Sequence, residues 1–95
     1  MRNWSVCILA SRRHGTLYIG ITNDLRRRLE EHRLGKGSKF VQRYAVRSLV
    51  HVEQFDDPET AIVREKRLKK WNRDWKIALI ERENPEWRDL ANLIV

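Results

Sequence analysis

Ninety-five residues, 41% apolar and 35% charged, suffice for one modest core, so a single globular domain over residues 1–95 is expected and a disordered chain is not. No run approaches the roughly 18 apolar residues of a bilayer span, and the start WSVCILA is too short and wrongly flanked for a signal peptide, so the expectation is a cytoplasmic protein without membrane contact. The lone Cys7 excludes an internal disulfide and has no cysteine partner for a structural zinc site.

Residues 4–10 and 16–21 are β-branched or aromatic runs separated by SRRHG, which predicts a hairpin in which Gly15 supplies a positive φ. A two-residue turn, at Arg12-Arg13 or at His14-Gly15, puts Cys7 and Tyr18 on one face of the sheet. Thr22, Asn23 and Asp24 offer N-cap chemistry to a helix over about 24–34 that stops at Gly35. Residues 35–47 mix glycines, basic side chains and aromatics without a sustained period and are expected to form a functional loop or broken turn. A third strand over 48–55 follows. Asp57 and Pro58 then open a helix running to about Trp71, and another covers about 73–83 with the stripe Trp75, Ala78, Leu79 and Arg82. Asn84-Pro85 starts a short last helix whose Trp87, Leu90, Ala91 and Ile94 pack back. The order β-β-α-β-α-α-α implies a small α/β (α+β) fold, a three-stranded, mostly antiparallel sheet flanked by helices. The four tryptophans, Trp4, Trp71, Trp75 and Trp87, are expected in the core and the helix seams.

The +7 net charge is one-sided: residues 1–47 hold 11 Lys/Arg against 3 Asp/Glu, and residues 48–95 hold 9 against 10. A basic half of this kind suits a polyanion, and nucleic acid is the usual one. Arg12, Arg13, Arg27, Lys36, Lys39 and Arg43 are the candidates for tracking its phosphates. Two helices also place polar groups on their apolar sides. Arg28 and His32 share the stripe of Leu25 and Leu29, and Glu65 falls between Ala61, Ile62 and Leu68. An unpaired carboxylate facing inward is costly, so a metal, a partner charge such as Lys69 at i+4, or a solvated cleft is expected beside it.

The stretches VCILASRRHGTLYIGITNDLRRRLEEH (6–32), GSKFVQRY (37–44), VREKRLKKWNRDWKIALIE (63–81) and NPEWRDL (84–90) resemble the small stand-alone bacterial members of the GIY-YIG nuclease superfamily. The resemblance implies a sheet of three strands flanked by helices and a Mg²⁺-dependent endonuclease, with Mn²⁺ as a substitute ion. The implied substrate is DNA of particular structure, branched or damaged, with RNA the weaker alternative. Carried over by position, Tyr18 matches the tyrosine of the second motif half, Arg28 the arginine lying against the scissile phosphate, His32 a polar position one turn later, and Glu65 the single metal-binding glutamate. Cys7 stands where the first motif half carries its tyrosine. A thiol there is shorter and a poor donor; it could act as a thiolate base in place of that tyrosine. The alternative is a nucleic-acid-binding or adaptor domain that no longer cuts.

Overall fold

Almost every side chain from Trp4 to Ala10 is apolar or small, as in a strand covered on both sides, and these residues form the central strand β1, Trp4–Ala10. The structure, a computed structural model, describes residues 3–34 and 39–93. Strand β1 pairs antiparallel with β2, Leu17–Thr22, and with β3, Ser48–Phe55, in the sheet order β2-β1-β3. Opposite Ile8 and Leu9, β3 carries a bulge that sets Val50 outside the pairing, so the consecutive residues Leu49, Val50 and His51 are all buried.

The hairpin keeps the expected parity, and Cys7, paired with Gly20, shares a face with Tyr18. Its connection is longer than the expected two residues. Ser11 and Thr16 close a loop from Arg12 to Gly15, and the positive φ of 56° falls on His14, not on Gly15. Gly15 is needed for space instead, since a Cβ there would collide with Ser11 Oγ and crowd Arg12. The longer loop is fastened from outside: Arg73 Nη2 donates to the carbonyls of His14 and Gly15, each at 2.6 Å, and His14 meets Glu81 at 3.0 Å.

Helix α1, Leu25–Arg33, begins at Asp24, whose carboxylate accepts from the Arg27 N–H at 3.2 Å. The predicted stop at Gly35 lies outside the described residues. In the segment expected to be a loop, Lys39–Tyr44 form a short helix, α2; Ala45 ends it with φ 55° and Val46 enters the core completely. Helices α3, Pro58–Lys70, and α4, Arg73–Glu83, start as predicted, with Asp57 and Asn72 as N-caps.

The last helix expected reduces to a 3₁₀ turn, Leu90–Leu93. Asn84 explains why. Its Nδ2 donates to the Val50 and Arg88 carbonyls and its Oδ1 accepts from the Arg88 N–H, while Trp87 adopts φ 58°, so the backbone bonds a helix start would need are committed elsewhere. Trp87 and Ala91 are buried as expected; Ile94 lies outside the described residues.

Two apolar clusters sandwich the sheet. Val6, Ile8, Ile19 and Val50 meet Ala61, Leu68 and Ile80 of α3 and α4 on one face; Cys7, Leu9 and Leu49 meet Leu29, Val46 and Ala91 on the other. Each fully buried aliphatic side chain stabilises by roughly 1.5–3 kcal/mol. The expected three-stranded α+β architecture is therefore the observed one, antiparallel throughout.

Candidate active site

Five side chains singled out in the sequence come from four elements: Cys7 of β1, Tyr18 of β2, Arg28 and His32 of α1, and Glu65 of α3. The glycine two residues after Tyr18 explains how the tyrosine is held. A Cβ on Gly20 would sit 3.1 Å from Tyr18 Cε1, so the phenol ring lies along space that only glycine leaves open. The ring also meets the edge of His32, with centroids 6.4 Å apart and planes at 63°.

Helical spacing delivers α1 as expected. Leu29 and His32 are buried, and Leu25 and Arg28 are partly buried. His32 Nδ1 lies buried with no hydrogen-bond partner among the described residues, a cost of roughly 1–3 kcal/mol for a structural histidine. Burial, reinforced by the Arg28 charge, holds the His32 pKa below its ordinary 6.5 despite Glu31, so the ring is neutral at pH 7. Arg28 has no carboxylate ion-pair partner among the described residues.

Cys7 reports on both charges of the site. Burial pushes its thiol up to about 11, the Arg28 guanidinium pulls against that, and the Glu65 carboxylate adds to it. Arg28 of α1 and Glu65 of α3 are thus both within electrostatic reach of one sulfur atom. The thiol donates to the Gly20 carbonyl at 3.7 Å and is protonated at neutral pH, which removes the thiolate base considered from the sequence.

Glu65 keeps 14% of its side chain exposed, and Lys69 Nζ approaches Oε2 at 3.4 Å. The i+4 pairing expected as the ordinary alternative is therefore present. Such a pair is worth only about 0.3–0.5 kcal/mol. Ile62, expected on the same apolar stripe, is 39% exposed instead. Among the described residues no group of three or more His, Cys, Asp or Glu converges on a metal position. One hard carboxylate fits an ion such as Mg²⁺, which keeps most of its waters, whereas the protonated Cys7 is no ligand for it.

The basic candidates lie on α1 and on two further segments, the hairpin loop and α2. Arg12 and Arg13 are exposed in the fastened hairpin loop, Arg27 is exposed on α1 and pairs with Glu31 at 3.3 Å, and Lys39 and Arg43 are exposed on α2, with Arg43 5.6 Å from the Tyr44 ring centre. Lys36 lies outside the described residues. Sequence reasoning missed the Glu53 network: Glu53 accepts from Arg64 at 2.8 and 3.0 Å and meets buried His51 at 2.8 Å. Its signal was present in the i, i+2 pair His51 and Glu53 on one strand face.

The profile of the GIY-YIG catalytic domain matches residues 3–78, which include all five side chains. The chain belongs to the GIY-YIG family. Similar relatives include a UPF0213 protein of Halobacterium salinarum, 42% identical over 65 residues that make up 68% of this chain and 84% of that one. Another is a UPF0213 protein of Bacillus velezensis, 41% identical over 66 residues, 70% of this chain and 67% of that one. The solution NMR structure of a UPF0213 protein from Bacillus halodurans superposes with a TM-score of 0.55 at 28% identity, covering 95% of both chains. GIY-YIG membership supports a nuclease-type function with nucleic acid as substrate, and GIY-YIG nucleases generally use a divalent metal. Among the described residues no helix is long and apolar enough to cross a membrane.

Proposed function

We propose that this GIY-YIG chain is an endonuclease that hydrolyses DNA phosphodiester bonds with one divalent ion, Mg²⁺ or Mn²⁺, at Glu65. The observation that supports the reading is that the GIY-YIG catalytic-domain match spans Tyr18, Arg28, His32 and Glu65, with the Tyr18 ring set against His32 beside Cys7. Phosphoryl chemistry asks the protein mainly for positioning and charge. Arg28 neutralises the phosphate, and its planar fork can bind two oxygens at once. Glu65 is the carboxylate that would hold the ion. When bound, a divalent cation supplies charge neutralisation and acidifies water. Tyr18, fixed by Gly20, orients the attacking water, and neutral His32 accepts its proton. Arg12, Arg13, Arg27, Lys36, Lys39 and Arg43 track the backbone on either side, so recognition follows the form of the DNA, with branched or damaged sites favoured over a base sequence. The proposed site lies within the matched segment 3–78, and the reading puts it in the cytoplasm.

A second reading, a nucleic-acid-binding or adaptor domain that does not cut, is favoured by Cys7 alone, since its weak donor is spent on the Gly20 carbonyl. Nicking of supercoiled plasmid and of branched DNA with Mg²⁺ or Mn²⁺ tests the two. Cleavage lost in Glu65→Ala supports the nuclease; binding by both proteins with cleavage by neither supports the adaptor.

A further inference from the structure

The predicted stripe Trp75, Ala78, Leu79 and Arg82 exists on α4, but only Leu79 of it enters the core. Leu79 is buried beside Ile80, whereas Trp75 is 59% exposed and Ala78 and Arg82 are exposed. With Arg64 and Trp71 these residues line a groove of about 410 Å³ at the α3–α4 elbow. Trp71 and Trp75 stand perpendicular, with ring centres 5.9 Å apart at 89°. The Arg64 guanidinium lies 5.1 Å over the Trp71 ring and is locked there by its two bonds to Glu53, so Trp71 is capped while Trp75 remains open.

Nothing in the GIY-YIG site uses this groove, although α3 carries both: Arg64 and Glu65 are consecutive, so the groove and the proposed metal carboxylate occupy adjoining faces of one helix. Residues 63–73 hold six Lys/Arg against the single Glu65. Arg64, Lys69 and Arg73 are committed to Glu53, Glu65 and the hairpin carbonyls. Lys66, Arg67, Lys70 and the rim residue Arg82 form no ion pair among the described residues. An open indole in a small apolar trough, with the unpaired cation Arg82 on its rim and a Lys/Arg-rich helix α3 behind it, has the chemistry of a stacking platform for a base whose phosphates lie on nearby charges. At about 410 Å³ the trough falls in the size range of small-ligand pockets.

We infer that the Trp71–Trp75 groove takes an unpaired base of a single-stranded segment of the DNA substrate. This deepens the nuclease reading and rests on its nucleic-acid partner, but not on cleavage: it assigns the recognition of DNA form to a platform beside the cleft.

The test is metal-free binding, at one fixed salt concentration, of a labelled oligothymidine and of a blunt duplex, followed by fluorescence anisotropy in the Glu65→Ala background. Trp75→Ala and Trp75→Leu weaken the oligothymidine about tenfold or more, Trp75→Tyr retains most of the affinity, and duplex binding changes by less than about twofold. Thermal melts establish that each variant is folded, as expected for a residue so exposed. Three results overturn the inference: Trp75→Leu binding oligothymidine as well as the parent, an equal loss for single strand and duplex, or polyglutamate competing at the groove as well as oligothymidine does. A concentration-dependent dimer dissolved by Trp75→Ala overturns it as well, because the groove is then an interface between copies. Loss of oligothymidine affinity on Trp75→Ala without Glu65-dependent cleavage sinks the nuclease reading and leaves the groove standing; the reverse pattern does the opposite.

Discussion

Cys7 Sγ lies 3.7 Å from the carbonyl oxygen of Gly20, its direct partner across the β1–β2 ladder. At the position of the first motif tyrosine the site thus presents a buried, protonated thiol whose only donor is turned to the backbone. It fills space beneath Tyr18 and Leu29, and the proposed function leaves proton transfer to Tyr18 and His32.

Cys7→Ala is therefore expected to leave the cleavage rate within about threefold of the parent and to cost on the order of 1 kcal/mol of stability from the small void. Loss of a general base would instead lower the rate by roughly 10²-fold or more. Because the folded thiol titrates near 11 and an ordinary one near 9.0, its contribution to stability is complete below pH 9.0 and is lost as pH rises toward 11. Iodoacetamide at pH 8 should modify Cys7 only in unfolded protein, which mass spectrometry with and without urea will show.

Gly20→Ala tests the positioning of Tyr18. The added methyl group meets the ring at 3.1 Å and displaces it by a few tenths of an ångström without breaking the β1–β2 ladder. A roughly tenfold or greater fall in kcat is expected, with the circular dichroism spectrum retained.

The pH profile should identify His32. As pH falls through its lowered pKa, the ring gains a proton and stops accepting one, so cleavage declines on the acid side below pH 6.5. The same depressed pKa means that stability declines below pH 6.5, where the unfolded chain binds the proton more readily. His32→Gln should lower the plateau rate and remove the acid limb, measured as single-turnover rates between pH 5 and 8.

Glu53 is the electrostatic anchor of the opposite helix layer. Its hydrogen bonds to His51 and Arg64 outweigh burial and hold its carboxyl at about 2, so its contribution is present above pH 4.5 and lost as pH falls toward 2. Glu53→Gln should cost on the order of 2 kcal/mol in urea unfolding at pH 7 and much less at pH 3.

Much of the site was legible because its signals are local. Arg28 and His32 follow from helical spacing on a well-capped segment, and Cys7 joins Tyr18 on one face through hairpin parity alone. Gly20 could not be understood without knowing where the Tyr18 ring lies. Trp75 misled because a regular stripe reveals that a helix has a face but not what covers it. The four-residue hairpin loop and the irregular chain after Asn84 depend on Arg73, Val50 and Arg88, which are remote in sequence or bonded through the backbone, and no periodicity records such contacts.

The most direct measurement of the central claim is the single-turnover cleavage rate of branched DNA in Mg²⁺ for the parent and for Glu65→Ala, at protein concentrations that give equal DNA occupancy. The account predicts that binding is retained while the rate falls by roughly 10²-fold or more, as expected when the carboxylate that holds the ion is removed. Equal rates for the two proteins, or no Mg²⁺-dependent cleavage by the parent, would contradict it.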